Sequence, residues 1–154
     1  MAGKLQAEIR QKRPFESLEE ETYLNLVRTA DTLRREIELA LQPYGLTGTQ
    51  YNVLRILRGA GQEGATCSAI SERLLAFDPD VTRLLDRLEK IELVTRARSV
   101  TDRRVVMTHI TEPGLELLKK LDGPLKALLT LQFQRVGRER LPLLIENLEE
   151  LRTR

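Results

Sequence analysis

The sequence predicts a mainly α-helical fold with one small β-hairpin, and three observations carry that prediction. Apolar residues recur at three- and four-residue spacing through most of the 154 residues. Ser, Thr and Asp stand where those stretches begin, as helix N-caps require. Only between residues 93 and 110 does the helical spacing give way to two short β-prone runs flanking a polar turn.

The elements follow in order. Ser17, with Glu20 three residues later, predicts a capping box, and the acidic cluster Glu16, Glu19, Glu20 and Glu21 complements the dipole of the helix it opens. Tyr23, Leu26, Val27, Ala30, Leu33, Ile37, Ala40, Leu41 and Tyr44 form its apolar stripe, and Pro43 and Gly45 stop it. Thr47 caps a second helix with Tyr51, Val53, Leu54 and Leu57 on its inner face, and Gly59, Gly61 and Gly64 predict a loop. Thr66 opens a short third helix carrying Ile70, Leu74 and Leu75. A tight Ala76-Phe77 connection then leads to Asp78 as N-cap and Pro79 as first helical residue.

The fourth helix runs to about Glu92 on an inner stripe of Val81, Leu84, Leu85, Leu88 and Ile91. Two short helices joined by a tight turn are a helix-turn-helix. Residues 93–98 and 105–110 read as hairpin strands around the turn 99–104, so the unit is a winged helix-turn-helix. Thr111 and Pro113 open a long helix with Leu115, Leu118, Leu121, Leu125, Leu128 and Leu129, and Pro124 predicts a kink or break near Asp122-Gly123. After Gly137 a last helix carries Leu141, Leu144, Ile145, Leu148 and Leu151. The chain thus divides, within one domain spanning 1–154, into a winged region at 47–111 and flanking helical regions at 17–44 and 112–154.

Composition excludes several classes. One cysteine permits no disulfide within the chain, and Cys67 and His109 lie too far apart in sequence to suggest a zinc cluster. Nucleophile-elbow, P-loop and dinucleotide-binding signatures are missing, which argues against an enzyme and against a cofactor. No apolar run reaches membrane-spanning length, and the charged opening lacks the apolar core of a secretory signal, so a cytoplasmic protein is expected. Lys+Arg and Asp+Glu number 25 and 23, a net charge of +2 that by itself announces no nucleic-acid partner. Its distribution is more informative. Residues 1–14 set Lys4, Arg10, Lys12 and Arg13 against Glu8, and residues 93–111 set Arg96, Arg98, Arg103 and Arg104 against Asp102.

The stretch VTRLLDRLEKIELVTRARSVTDRRVVMTHITEPG, residues 81–114, resembles the winged-helix core of the MarR family of bacterial transcription regulators. Its most specific part is Asp102-Arg103-Arg104, a D-x-R wing signature, and VTRLLDRLE matches the recognition-helix pattern. The resemblance implies a homodimer joined through N- and C-terminal helices, binding palindromic operators in double-stranded DNA and usually repressing. It also implies a small-molecule or oxidant signal near the junction of the dimerising and DNA-binding parts. The leucine-rich stripes beyond the winged region exceed what one small winged domain needs, so an interface between subunits is a natural use for them, with packing inside one subunit as the plainer account; the resemblance favours the interface.

The candidate contacts follow from helix-turn-helix docking, in which the start of the second helix meets base edges in the major groove. Thr82 and Arg83 are placed for bases or nearby phosphates, and Arg87 one turn behind for a phosphate. The alternative is an ordinary solvated face with an Asp86–Lys90 pair. Arg103 and Arg104 at the hairpin tip suit a minor groove, and the resemblance gives Asp102 the task of fixing the wing. Arg96 and Arg98 either pair with Asp102 or meet phosphate, and Thr66 and Ser68 suit a phosphate at a helix N-terminus. A winged-helix interaction module without DNA binding is the rival reading, and the arginine tip speaks against it.

Cys67, at the predicted start of the third helix, is a candidate redox sensor, against the plainer role of a small, partly buried residue. Tyr23, Tyr44 and Tyr51 are candidate ligand-pocket residues whose size suits core packing equally. His109 is given no metal or catalytic role. The basic segment 1–14 has three open roles: a disordered tail, a DNA contact, or an arm swapped onto a partner subunit.

Overall fold

The computed structural model describes residues 3–153. Its elements are α1 Leu5–Glu8, α2 Leu18–Leu41, α3 Gly48–Ala60, α4 Cys67–Arg73, α5 Val81–Lys90, β1 Val94–Arg98, β2 Val106–Ile110, α6 Glu112–Phe133 and α7 Leu141–Glu150. Met1, Ala2 and Arg154, which belong to the expected basic segment and C-terminal region, lie outside the described residues.

Local chemistry explains most boundaries. Ser17 Oγ accepts the Glu20 N–H at 3.1 Å, while the Glu20 carboxylate takes the N–H of Glu16, one residue before the cap. Thr47 and Gln50 complete a reciprocal capping box at the start of α3, at 3.1 and 3.0 Å. Thr111 does more than cap α6. Its hydroxyl accepts the Gly114 N–H, donates to the Glu92 carbonyl at 2.7 Å, and so ties the helix start to the foot of the hairpin.

The core sits where α3 meets its neighbours. Val53, Leu54 and Leu57 of α3 are fully buried with Leu41 of α2, Ile70 of α4, Leu85 and Leu88 of α5, and Leu118 and Leu121 of α6. Arg58 adds a two-pronged ion pair from α3 to Asp122 of α6, with its shortest contact at 2.8 Å. β1 and β2 pair antiparallel with Val94 opposite Ile110 and Arg98 opposite Val106. A third, one-residue strand joins them, because Ala65 and Thr108 exchange backbone hydrogen bonds of 2.9 and 2.8 Å. Gly64 makes that approach feasible. It has φ +68°, and a Cβ there would stand 2.5 Å from the Thr108 carbonyl oxygen.

Several expectations need correction. Helix α6 passes through Pro124 without a break. Proline removes one backbone bond, but Leu118, Leu121 and Leu125 are buried on one face and Asp122 is held by Arg58, so the helix is retained. Gly59 lies inside α3, and the glycine loop shrinks to a single 3₁₀ turn at Gly61–Glu63. The third helix ends at Arg73, which leaves Leu75 outside it and 86% exposed. The first part of the basic segment is no disordered tail, since α1 forms there and Leu5 is buried.

Helix α7 has no buried residue within the chain, although its Leu143 and Ile145, and Leu151 just beyond its end, are large and apolar. Leu18, Tyr23 and Val27 of α2 and Leu131 of α6 are likewise exposed. No helix among the described residues is long and apolar enough to cross a membrane.

Candidate nucleic-acid interface

The recognition helix α5 begins differently from the sequence expectation. Asp80, not Asp78, is its N-cap, accepting the Arg83 N–H at 3.0 Å. Asp78 instead accepts the Asp80 N–H at 2.8 Å, a local turn that delivers the chain to the cap. Pro79 therefore precedes the helix, and residues 74–80 connect α4 to α5 where a two-residue turn was expected. Val81, Leu84, Leu85 and Leu88 face the core as the periodicity requires, whereas Ile91 is a half-exposed C-cap residue and no part of the inner stripe.

Thr82, Arg83, Asp86, Arg87 and Lys90 are exposed on the opposite face. At the contact with α4, the Thr66 hydroxyl caps that helix by accepting the Ala69 N–H, and the Ser68 hydroxyl reaches Glu72 at 3.4 Å. Cys67 is half-buried, with its Sγ 3.8 Å from the Thr82 hydroxyl.

The wing tip is a compact hydrogen-bonded turn. Asp102 accepts the Arg104 N–H on its carboxylate at 3.0 Å and the Val105 N–H on its carbonyl at the same distance. Ser99 donates its N–H to the Val105 carbonyl at 2.8 Å, and its hydroxyl accepts the N–H of Thr101 at 3.3 Å. Asp102 thus holds the backbone of the turn, while the Arg103 and Arg104 side chains project into solvent. Arg98 donates to the Arg103 carbonyl at 2.8 Å, bracing the tip without pairing with Asp102.

Arg96 departs furthest from the expected partners. Its guanidinium lies 2.5 Å from Asp86 and 2.6 Å from Glu89, both on α5, so it ties the first wing strand to the recognition helix. Asp86 accordingly pairs with Arg96 and not with Lys90. The Arg96 hydrogen bonds hold the Glu89 carboxyl below the usual glutamate range, and Glu89 in turn raises the guanidinium pKa. A sequence signal existed in the i,i+3 spacing of Asp86 and Glu89. Choosing their partner required the relative placement of α5 and β1.

The three tyrosines do not converge. Tyr23 and Tyr44 are exposed, and Tyr51 is half-buried with the Arg55 guanidinium 5.9 Å from its ring centre. Burial raises the Tyr51 phenol pKa. A mainly apolar cavity of about 500 Å³ opens elsewhere, between α2, the end of α6 and α7. Leu18, Leu26, Ala30, Leu33, Phe133, Leu144 and Leu148 line it, with Thr22, Asn25 and Thr29 as polar neighbours, and none of the three tyrosines does. Phe133, Leu144 and Leu148 join that lining from at least a hundred residues beyond the α2 positions, which no local pattern brings together. Among the described residues no group of three or more His, Cys, Asp or Glu is placed to hold a metal ion.

Comparison with known proteins agrees with this architecture. The sequence pattern of the MarR family matches residues 46–106. The HTH-type transcriptional regulator MhqR of Bacillus subtilis is 30% identical over 99 residues, covering 64% of this chain and 67% of that protein. A MarR transcription factor from Planctomyces limnophilus superposes with a TM-score of 0.68 at 38% identity, covering 88% of this chain and 98% of the other. S. aureus MepR, in its complex with DNA, shares the fold with a TM-score of 0.75 at 22% identity, covering 84% and 95%. These likenesses lend no support to an interaction module that leaves DNA alone. A helix-turn-helix, a braced arginine wing and the matching family pattern lead to one conclusion: the chain belongs to the MarR family and is a DNA-binding transcription regulator.

Proposed function

We propose that the chain acts in the cytoplasm as a homodimeric repressor on a palindromic operator, released by a small-molecule effector. The observation that carries the dimer is α7, an apolar helix with no buried residue in the single chain. Together with Leu18, Val27 and Leu131 it leaves a broad apolar surface, which a second copy covers most economically through a two-fold contact. Two wings and two recognition helices then face one DNA duplex. Thr82 and Arg83 enter the major groove, with Arg87 on phosphate, and Arg104 with Arg103 reaches the minor groove. Thr66 and Ser68 stand at the start of α4 beside the phosphates. The cavity beside α7 supplies an apolar seat for an effector, and its filling would couple to the subunit interface that α2 and α7 form.

The test is Arg104→Ala, measured by fluorescence anisotropy on a duplex selected from a random pool by the wild-type protein. One charge-assisted hydrogen bond is worth about 1.5–3 kcal/mol, so affinity falls at least about tenfold. Wild-type affinity in a variant of unchanged melting temperature would remove the wing from the interface. Raising the salt weakens wild-type binding, since phosphate contacts release counterions.

A further inference from the structure

The wing base carries an arrangement that direct DNA contact leaves unexplained. Arg96 is the least exposed of the wing arginines, with only 23% of its side chain accessible. Its Nη2 lies 2.5 Å from Asp86 Oδ1 and 2.6 Å from Glu89 Oε2, and its Nε donates to the same Glu89 oxygen at 3.0 Å. The Arg96 backbone N–H takes the other Glu89 oxygen at 3.1 Å. Both oxygens of Glu89 and one of Asp86 are therefore committed to a single residue.

The charge placement gives this a purpose. Asp86 stands on the outward face of α5, one turn beyond Thr82 and Arg83, and is 56% exposed. A carboxylate there repels a phosphate backbone, and Glu89 one turn further adds a second negative charge. One guanidinium shared between them cancels one of the two negative charges. It leaves Arg83 and Arg87 unopposed, and it sets the wing strand against the recognition helix. Its Nε and Nη2 are both engaged by carboxylates, so a phosphate contact through either would break these ion pairs.

We propose that Arg96 is a positioning residue of the DNA interface, halving the negative charge of the Asp86–Glu89 pair and fixing the wing to the recognition helix without touching DNA. This rests on α5 and the wing forming that interface.

Anisotropy titrations across salt on the same selected duplex test it with Arg96→Gln, Asp86→Asn, the double variant and Arg104→Ala. Arg96→Gln weakens binding about tenfold, and Asp86→Asn in that background restores affinity to within about threefold of wild type. The salt slope of Arg96→Gln stays close to wild type, since no phosphate contact is lost. A double variant as weak as Arg96→Gln would overturn the charge-compensating role, and a slope lower by about 0.9 would mean that Arg96 holds a phosphate itself; either result overturns the proposal. A loss of about tenfold in Asp86→Asn alone would also overturn it, because Asp86 would then be reading a base. Where Arg96→Gln fails to fold, Arg96→Lys keeps the charge. It is expected within about threefold of wild type, and a drop of about tenfold in the folded Lys variant refutes the charge argument. Arg104→Ala separates the two readings. A weakened Arg104→Ala beside an unaffected Arg96→Gln rejects only the role of Arg96, and wild-type affinity in both rejects the interface.

Discussion

Gly114→Ala perturbs the joint between wing and helical region at one atom. Gly114 lies in the first turn of α6, and a Cβ there would stand 2.6 Å from the Leu93 carbonyl oxygen and 2.7 Å from Ile110 Cγ1. The carbonyl cannot simply retreat, because it accepts the Thr111 N–H at 3.0 Å. Overpacking of this kind costs about 1–3 kcal/mol, and a clash with a fixed carbonyl puts it in the upper part of that range, about 2–3 kcal/mol, of which the better helix propensity of alanine returns about 1 kcal/mol. The net loss of about 1–2 kcal/mol lowers the melting temperature by roughly 2–8 °C for a chain of this size. Gly59→Ala is the matched control, since its Cβ would meet nothing closer than Arg73 Nη2 at 3.9 Å inside α3. That substitution raises stability by about 0.5–1 kcal/mol. Both are read by thermal denaturation at one fixed protein concentration, because association of subunits makes the midpoint concentration-dependent. If Gly114→Ala melted at or above wild type, the close approach of α6 to the hairpin foot would be wrong.

Two further outcomes are expected. Ile145→Glu places a charge on a side chain that is 55% exposed in the single chain, so the fold survives while the covered apolar surface is disrupted; sedimentation velocity should show monomer where wild type gives dimer, and an unchanged dimer would move the interface away from α7. Arg96 depresses the Glu89 pKa in the folded state, so that carboxylate contributes stability above its unfolded pKa and loses it as pH falls through the depressed value. The difference in urea midpoint between wild type and Glu89→Gln is therefore present at neutral pH and closes in acid, and a difference constant with pH would exclude the ion pair as its source.

The helical boundaries were legible because their signals span only three or four residues. Ser17, Thr47, Thr66 and Thr111 each cap the helix expected of them, with side-chain acceptors 3.1 Å from the N–H three residues on. The turn into α5 misled for the same reason. Asp78 and Asp80 are both competent caps, and Asp78 is spent on turning the backbone two residues earlier. Pro124 does not break α6 because its local cost is outweighed by leucines that the helix buries against distant helices.

By itself the sequence determined the order of elements from α2 onward, the inward stripe of the recognition helix as far as Leu88 and the position of the wing turn. All of these depend on residues within one or two turns of each other. It also displayed the wing arginines as a group of like charge. Only the tertiary structure decided how they divide. Arg104 projects outward, Arg98 braces the tip, and Arg96 is bound by carboxylates on another element. Asp102, Asp86 and Glu89 are chemically equivalent partners on paper, and the packing of β1 against α5 selects among them. The same holds for the cavity beside α7 and for the apolar surface around it, which exist only once the two ends of the chain fold side by side. Local interactions choose conformations; which charge is neutralised and which apolar face stays uncovered depends on contacts between residues far apart in the chain.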